Sequence, residues 1–276
     1  VTKSVNRARR LEGRVALVTG AGGEIGGGIA RCLAEEGASL ALADISPEGA
    51  ACCSEEVAAM GARAVAIPLD VTRAAECEAS IEKTCSELGR LDILVNNAGV
   101  IGGPDFKLGL PLSDITEADW DATYSVNVKG VFLLCRAALP VMQEAQWGRI
   151  VNISSRAGRH GTEALPHYSA SKAAVIIFTQ ALAREVGRYG ITANAVCPGL
   201  IWSAMWENLA GLYRQKFSHL EGLSSREIFD DFVNATPLCR EQTPDDIGRA
   251  VAFLSSDDAC TITGQALLVD SGAVMG

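Results

Sequence analysis

The sequence predicts an α/β protein built on one open, doubly wound parallel sheet of about seven strands, with helices on both faces. Three observations carry that expectation. Short runs of Val, Ile, Leu and Ala recur along the 276 residues without polar alternation, as strands do when both faces of a parallel sheet are covered. Amphipathic stretches of helical length separate them, and such alternation specifies a doubly wound sheet. The 28 glycines fit a chain with many tight turns. No linker, repeat or low-complexity tract divides the chain. One domain is therefore expected over residues 13–276, preceded by a basic arm over 1–12 that carries Lys3, Arg7, Arg9 and Arg10.

The first strand is expected at 15–19. It runs into Thr19-Gly20-Ala21-Gly22-Gly23-Glu24-Ile25-Gly26, a glycine-rich turn between strand and helix. Backbone N–H groups in such a turn can approach a pyrophosphate, with the positive helix end behind them. The second strand, at 39–43, closes on Asp44. A carboxylate there takes ribose hydroxyls and repels the extra phosphate of NADP. Ile45 and Ser46 follow it, with no basic residue, so NAD is the expected cofactor. Ser46-Pro47 reads as a cap followed by a first-turn proline.

Further strands are expected at 63–68, 93–96, 149–153, 192–197 and 266–269. Thr116-Glu117-Ala118-Asp119 has the form of a capping signal. It opens the first of two long helices, over 117–146 and 167–189. Both are rich in Ala, Val and Leu on more than one face, which calls for a second neighbour. Residues 101–112, with Gly102, Gly103, Pro104, Gly109 and Pro111, read as a loop walling a cleft. Residues 201–237 carry Trp202, Met205, Trp206, Leu209, Leu212, Tyr213 and Phe217, at spacing that suits either a substrate lid or an ordinary packed helix pair.

Composition removes several function classes. A formal charge of −9 argues against nucleic acid or an anionic membrane surface as partner. No run of about 18 apolar residues predicts a spanning helix. No apolar segment follows the basic start, so no secretory signal is expected. Nine cysteines without paired spacing make no disulfide framework, and three histidines without Cys-x-x-Cys predict no metal site. A cytoplasmic, reducing home fits best.

The chemistry centres on Ser155 and Tyr168-x-x-x-Lys172. On a helix, a spacing of four stacks the phenol and the ammonium on one face. A free phenol titrates near ~10 and is a poor base at neutral pH, whereas a fixed ammonium nearby favours the phenolate. A hydroxyl from outside the helix, Ser155, then holds the reacting oxygen.

Taken with the glycine turn, Asp70-Val71, Asn96-Asn97-Ala98-Gly99, Asn127 in Asn-Val-Lys-Gly and Pro198-Gly199, these residues make the chain resemble the short-chain dehydrogenase/reductase family. Singly, each has a structural reading: Asp70 as a cap, Asn96-Asn97 as a turn, Asn127 as a satisfied helix residue. The match runs from about Gly13 to the C terminus and implies a Rossmann-like fold.

The resemblance implies that Tyr168 is the general acid/base and that Lys172 lowers its pKa and holds the nicotinamide ribose. Ser155 holds the substrate oxygen, and Asn127 keeps a water behind Lys172. It implies a cofactor bed of Gly20, Gly22, Gly23, Ile25, Gly26, Asp44, Asp70, Val71, Asn97, Ala98, Gly99, Pro198, Gly199, Ile201 and Ser203, shared with Tyr168 and Lys172. Ser203 stands where the family usually has threonine. Glu24 stands where it has the middle glycine of the turn; solvent is its expected surrounding. The implied activity is NAD-dependent interconversion of a secondary alcohol (polyol, sugar, hydroxy acid or sulfonate) and a ketone. Alternatives are a 3-oxoacyl-thioester reductase of the same family and a silent NAD-binding protein. A homotetramer is expected by the same resemblance. Arg156, Arg159 and His160 follow Ser155. A guanidinium suits carboxylate, sulfonate or phosphate oxygens, so one reading is an anionic substrate bound by Arg159 or His160; the alternative is that these side chains face solvent or pair with acidic residues such as Glu163.

Overall fold

A computed structural model describes residues 9–275. Its seven strands are β1 (Val15–Thr19), β2 (Ser39–Asp44), β3 (Ala64–Pro68), β4 (Ile93–Asn96), β5 (Gly148–Ile153), β6 (Ile191–Pro198) and β7 (Ala266–Val269). Each expected strand is present, with its ends shifted by at most one residue. All neighbours pair in parallel, in the order β3-β2-β1-β4-β5-β6-β7. The order reverses between β1 and β4, and the crevice beyond the carboxyl ends of those strands is where such sheets bind ligands.

The strands alternate between two cores. Leu17, Ala41, Leu94 and Ile150 pack on one side with α3 (Ala74–Leu88), α5 (Val131–Ala145) and α6 (Pro166–Val186). Ala16, Val18, Leu40, Leu42, Val95 and Val151 pack on the other with α1 (Glu24–Glu35), α2 (Pro47–Ala59) and α9 (Pro244–Ser255). Period-two alternation with both faces covered produces the unbroken apolar runs of the sequence. The edge strands β3 and β7 are less covered, and Leu267 is 38% exposed.

Ser46 caps α2, its hydroxyl accepting from the Gly49 N–H, and Thr116 forms a full capping box with Asp119 at α4 (Glu117–Tyr124). The helix expected over 117–146 is not uniform. Between α4 and α5, residues Ser125–Gly130 widen into a π turn, a form that concentrates at functional sites. Within it the Asn127 side chain reaches out of the helix to the main chain of Val100. Among the described residues the run Glu117–Ala145 is long and apolar enough to cross a membrane. Its Leu133, Leu134, Ala138 and Met142 are packed in the core, which is how an internal helix meets that test.

The basic arm is shorter than expected. Leu11 is buried, its N–H donates to the Glu36 carbonyl at 2.8 Å, and Arg10 bridges Glu36. Burial of that one leucine recruits Arg10–Glu12 into the folded body; residues 1–8 of the arm lie outside the described residues.

Candidate active site

The carboxyl end of β5 sets the first half of the site. Ser154 is buried and its hydroxyl donates to the Lys172 carbonyl at 2.8 Å. Ser155 caps a 3-10 turn, Arg156–Gly158, its Oγ accepting from the Ala157 N–H at 3.1 Å. Gly158 is pressed on α6: a Cβ there would lie 2.7 Å from the Lys172 carbonyl carbon. The turn is thus tied twice to the helix that carries Tyr168 and Lys172.

Pro166 opens α6, and the next three turns hold the chemistry. His167 is buried, with Nε2 donating to the Ile101 carbonyl at 2.7 Å and Nδ1 left without a partner. Lys172 is buried, its Nζ 5.7 Å from the Tyr168 ring centre and donating to the Ile153 carbonyl at 2.9 Å. Asn127 is engaged on both ends: Oδ1 accepts from the Val100 N–H, and Nδ2 donates to the Val100 carbonyl and to Ser171 Oγ. Gly99 separates the two, since a Cβ there would sit 3.2 Å from Lys172 Nζ and 3.3 Å from Asn127 Oδ1.

Burial dominates the electrostatics of the pair. Burial pushes the phenol up, with the Ser155 hydroxyl pulling it back. Burial also pushes Lys172 down to about 8. Enclosure disfavours both charged forms, and one of the three ammonium donors is used on the Ile153 carbonyl.

Ser155, Tyr168 and Lys172 share the lining of one cleft of about 670 Å3 with Asn97, Gly99, Pro198, Gly199, Ile201, Ser203 and Ile25. Of the other expected cofactor residues, Gly20, Gly22, Gly23, Gly26, Asp44, Asp70, Val71 and Ala98 lie off this lining. They are gathered around the glycine turn and the neighbouring strand ends. Asn97 Nδ2 donates to the Thr19 and Gly20 carbonyls, 3.0 Å each, stitching β4 to β1 across the switch point. Asp44 is fixed at the turn, accepting from the Gly22 and Ser46 N–H groups at 2.9 Å each. Asp70 accepts from the Thr72 N–H and hydroxyl and pairs with Arg73, but it does not cap α3, whose N-cap position is Arg73.

The turn fits a diphosphate. No side chain caps α1, so its first-turn N–H groups stay available, which is the physical basis of anion binding at a helix start. Glu24 is exposed and borders both the main cleft and a hollow of about 330 Å3 on its far side. Ser203 likewise heads α7 (Ala204–Lys216) without using its hydroxyl as a cap. Among the described residues no group of three or more His, Cys, Asp or Glu side chains is placed for a metal ion.

A family model described as enoyl-(acyl carrier protein) reductase matches residues 20–274. The chain is 39% identical to "(2S)-[(R)-hydroxy(phenyl)methyl]succinyl-CoA dehydrogenase subunit BbsD" of Thauera aromatica, over 95% of this chain and 97% of that one. It is a short-chain dehydrogenase/reductase. Galactitol 2-dehydrogenase of Agrobacterium fabrum is 38% identical, with 95% and 98% covered. The structure of NAD+-bound xylitol dehydrogenase superposes with a TM-score of 0.88 at 32% identity, covering 95% of this chain and all of that one.

Within this short-chain dehydrogenase/reductase the substrate end of the cleft departs from expectation. His160 is on the lining but Arg159 is not; Arg156, directly after Ser155, takes that position. The cause is the tight turn, which folds onto Lys172 at Gly158 before Arg159 is reached. Of the expected loop wall 101–112, only Ile101 lines the cleft, beside Val100; Phe106 folds back against His167, ring centres 4.9 Å apart. Trp206, Leu209, Tyr213 and Phe232 form an apolar wall from α7 and α8 (Ser225–Asn234). The Met205 side chain, expected with them, lies outside the described residues. Ala273 and Val274 also reach the cleft. No local pattern marks those two in the sequence; the chain beyond β7 brings them there.

Proposed function

We propose that this chain is an NAD-dependent secondary-alcohol dehydrogenase, interconverting a hydroxyl and a ketone. The observation that carries the reading is the meeting of Ser155, Tyr168 and Lys172 on one cleft wall, next to a glycine turn held by Asp44. When bound, the nicotinamide accepts or donates the hydride. The chain's own residues do the rest. Ser155 bonds the reacting oxygen, Tyr168 takes or returns its proton, and Lys172 holds the ribose and the protonic balance around the phenol. Asn127 acts at one remove: by fixing Val100 and Ser171 it keeps the floor beneath Lys172 in place. Asp44 takes ribose hydroxyls, Asp70 and Val71 border the adenine side, and Ser203 bonds the carboxamide end. The α7–α8 wall serves as the substrate lid of a single catalytic domain. A reducing, cytoplasmic setting belongs to the same proposal; all nine thiols are free.

Asp44 supports NAD over NADP. Its neighbour Ser46 donates to a second carboxylate, Glu48, at 3.2 Å, so an added phosphate would meet two negative groups. A preference of at least about tenfold, ~1.4 kcal/mol, is expected in kcat/KM. Asp44→Asn keeps the shape and removes the charge, and should narrow it. Equal efficiency of the unsubstituted protein with both cofactors would overturn the assignment and favour the 3-oxoacyl-thioester reductase reading.

The homotetramer is proposed from exposed apolar side chains on the two long helices: Phe132 is 44% exposed on α5 and Ile177 63% on α6. Light scattering should return four chain masses at micromolar concentration. A single chain mass there would refute it, and Phe132→Glu with Ile177→Glu should shift the assembly toward smaller species.

A further inference from the structure

Arg156 is a cation built into the cleft wall and left without a bonded partner. Its guanidinium makes no hydrogen bond or ion pair among the described residues. The acidic group that acts on it most is Asp270; that carboxylate accepts from the Gly272 and Val274 N–H groups at 3.0 and 2.9 Å and forms no direct ion pair with Arg156. Arg156 is half-buried, and burial pushes its guanidinium below the ordinary value while Asp270 acts in the opposite sense. The backbone that carries it is held in place, because the turn that Arg156 opens is locked on α6 by Gly158. Of the other charged cleft residues, Lys172 sits beside the Tyr168 ring, where it is assigned to the ribose and the phenol, and Glu24 lies at the cofactor turn. His160 and Glu163 sit further along the same segment, and Glu163 has a contact of its own.

Across the cleft stands the wall of Trp206, Leu209, Tyr213 and Phe232. A polyol would leave both features unused: the guanidinium without an anion and the aromatic faces without an apolar body. We propose that Arg156 is the substrate anchor, and that the substrate is a secondary alcohol, or its ketone, bearing a carboxylate a few bonds from the reacting carbon on an apolar body of aryl size. The planar guanidinium fork matches a carboxylate in two parallel hydrogen bonds. Ser155 and Arg156 are consecutive, so the hydroxyl that holds the reacting oxygen and the cation that holds the acid start one residue apart. This rests on the dehydrogenase reading, which it narrows to one substrate class.

The test separates binding from turnover. Phenylpropanoate, which carries the acid and the ring but no hydroxyl, and its amide are titrated against the full chain, reading tryptophan fluorescence. The acid should bind at least tenfold more tightly than the amide. Arg156→Met should raise the Kd of the acid at least tenfold, with Arg156→Lys in between, and melting curves should show both variants folded. Turnover is read with β-hydroxy-β-phenylpropanoate and its analogue with methyl in place of carboxylate. Arg156→Met should cut the acid-to-neutral ratio of kcat/KM at least tenfold. Equal binding of acid and amide, or an unchanged ratio, would overturn the anchor. Selective binding of the acid by a protein that oxidises no alcohol with NAD would keep the anchor and overturn the dehydrogenase reading. Oxidation of neutral alcohols with no discrimination between acid and amide would do the reverse.

Discussion

Replacing Tyr168 with Phe should lower kcat by about a thousandfold, roughly 4 kcal/mol in the barrier, while the fold and cofactor affinity survive. The change removes one oxygen from a ring held on α6, whose neighbours Ser169, Ser171 and Lys172 are buried. The oxygen meets the Ser155 hydroxyl at the cleft wall rather than the core, so the loss should appear chiefly in turnover and little in the melting temperature. A pH profile sharpens the result. Alcohol oxidation needs the phenolate, and burial pushes the Tyr168 phenol above its ordinary value. Oxidation by the unsubstituted enzyme should therefore rise with pH, and reduction should fall along the same limb. The residual rate of Tyr168→Phe should show neither slope. A variant that keeps more than about a tenth of the activity would mean that another group moves the proton.

Gly28→Val should destabilise the protein by about 3 kcal/mol or more, enough to threaten expression. Helices α1 and α9 cross with their backbones in contact. A Cβ on Gly28 would lie 2.5 Å from the Pro244 carbonyl carbon and 2.6 Å from its Cβ, and Gly248 presses in return on the Gly28 carbonyl. Backbone on both sides leaves no flexible side chain to give way. Gly27 is the control. A Cβ there meets only the far end of Arg31, at 3.5 Å, so Gly27→Ala should be neutral or gain up to about 1 kcal/mol from helix propensity. Urea unfolding of the two variants checks the contrast. Equal effects would show that the α1–α9 contact is looser than described.

Those adjacent glycines mark a boundary of what a sequence discloses. In the run Gly26-Gly27-Gly28 nothing separates a residue of the cofactor turn from a free helix position or a helix-crossing point. Gly26 packs on the Gly20 carbonyl, Gly27 faces a side chain and Gly28 faces another helix. The difference lies in Pro244 and Gly248, more than 200 residues away.

What the sequence determined by itself was whatever a local period or a short spacing encodes. Burial on both faces writes a parallel strand as an unbroken apolar run, so all seven strands were legible to within a residue. Capping is equally local, and Ser46 and Thr116 bind the backbone three residues on. The spacing of four put Tyr168 and Lys172 on one helix face, and Asp44 followed from the end of its strand. Tertiary structure decided the rest, because it depends on which distant atoms arrive. Asn127, inside the π turn, is bonded to Val100, which arrives from another segment. Arg156 rather than Arg159 enters the cleft since Gly158 docks on Lys172. Burial pushes the Tyr168 phenol up and the Lys172 ammonium down, since enclosure acts on both charges. Desolvation and close packing are properties of a filled volume, and no pattern along one chain segment records them.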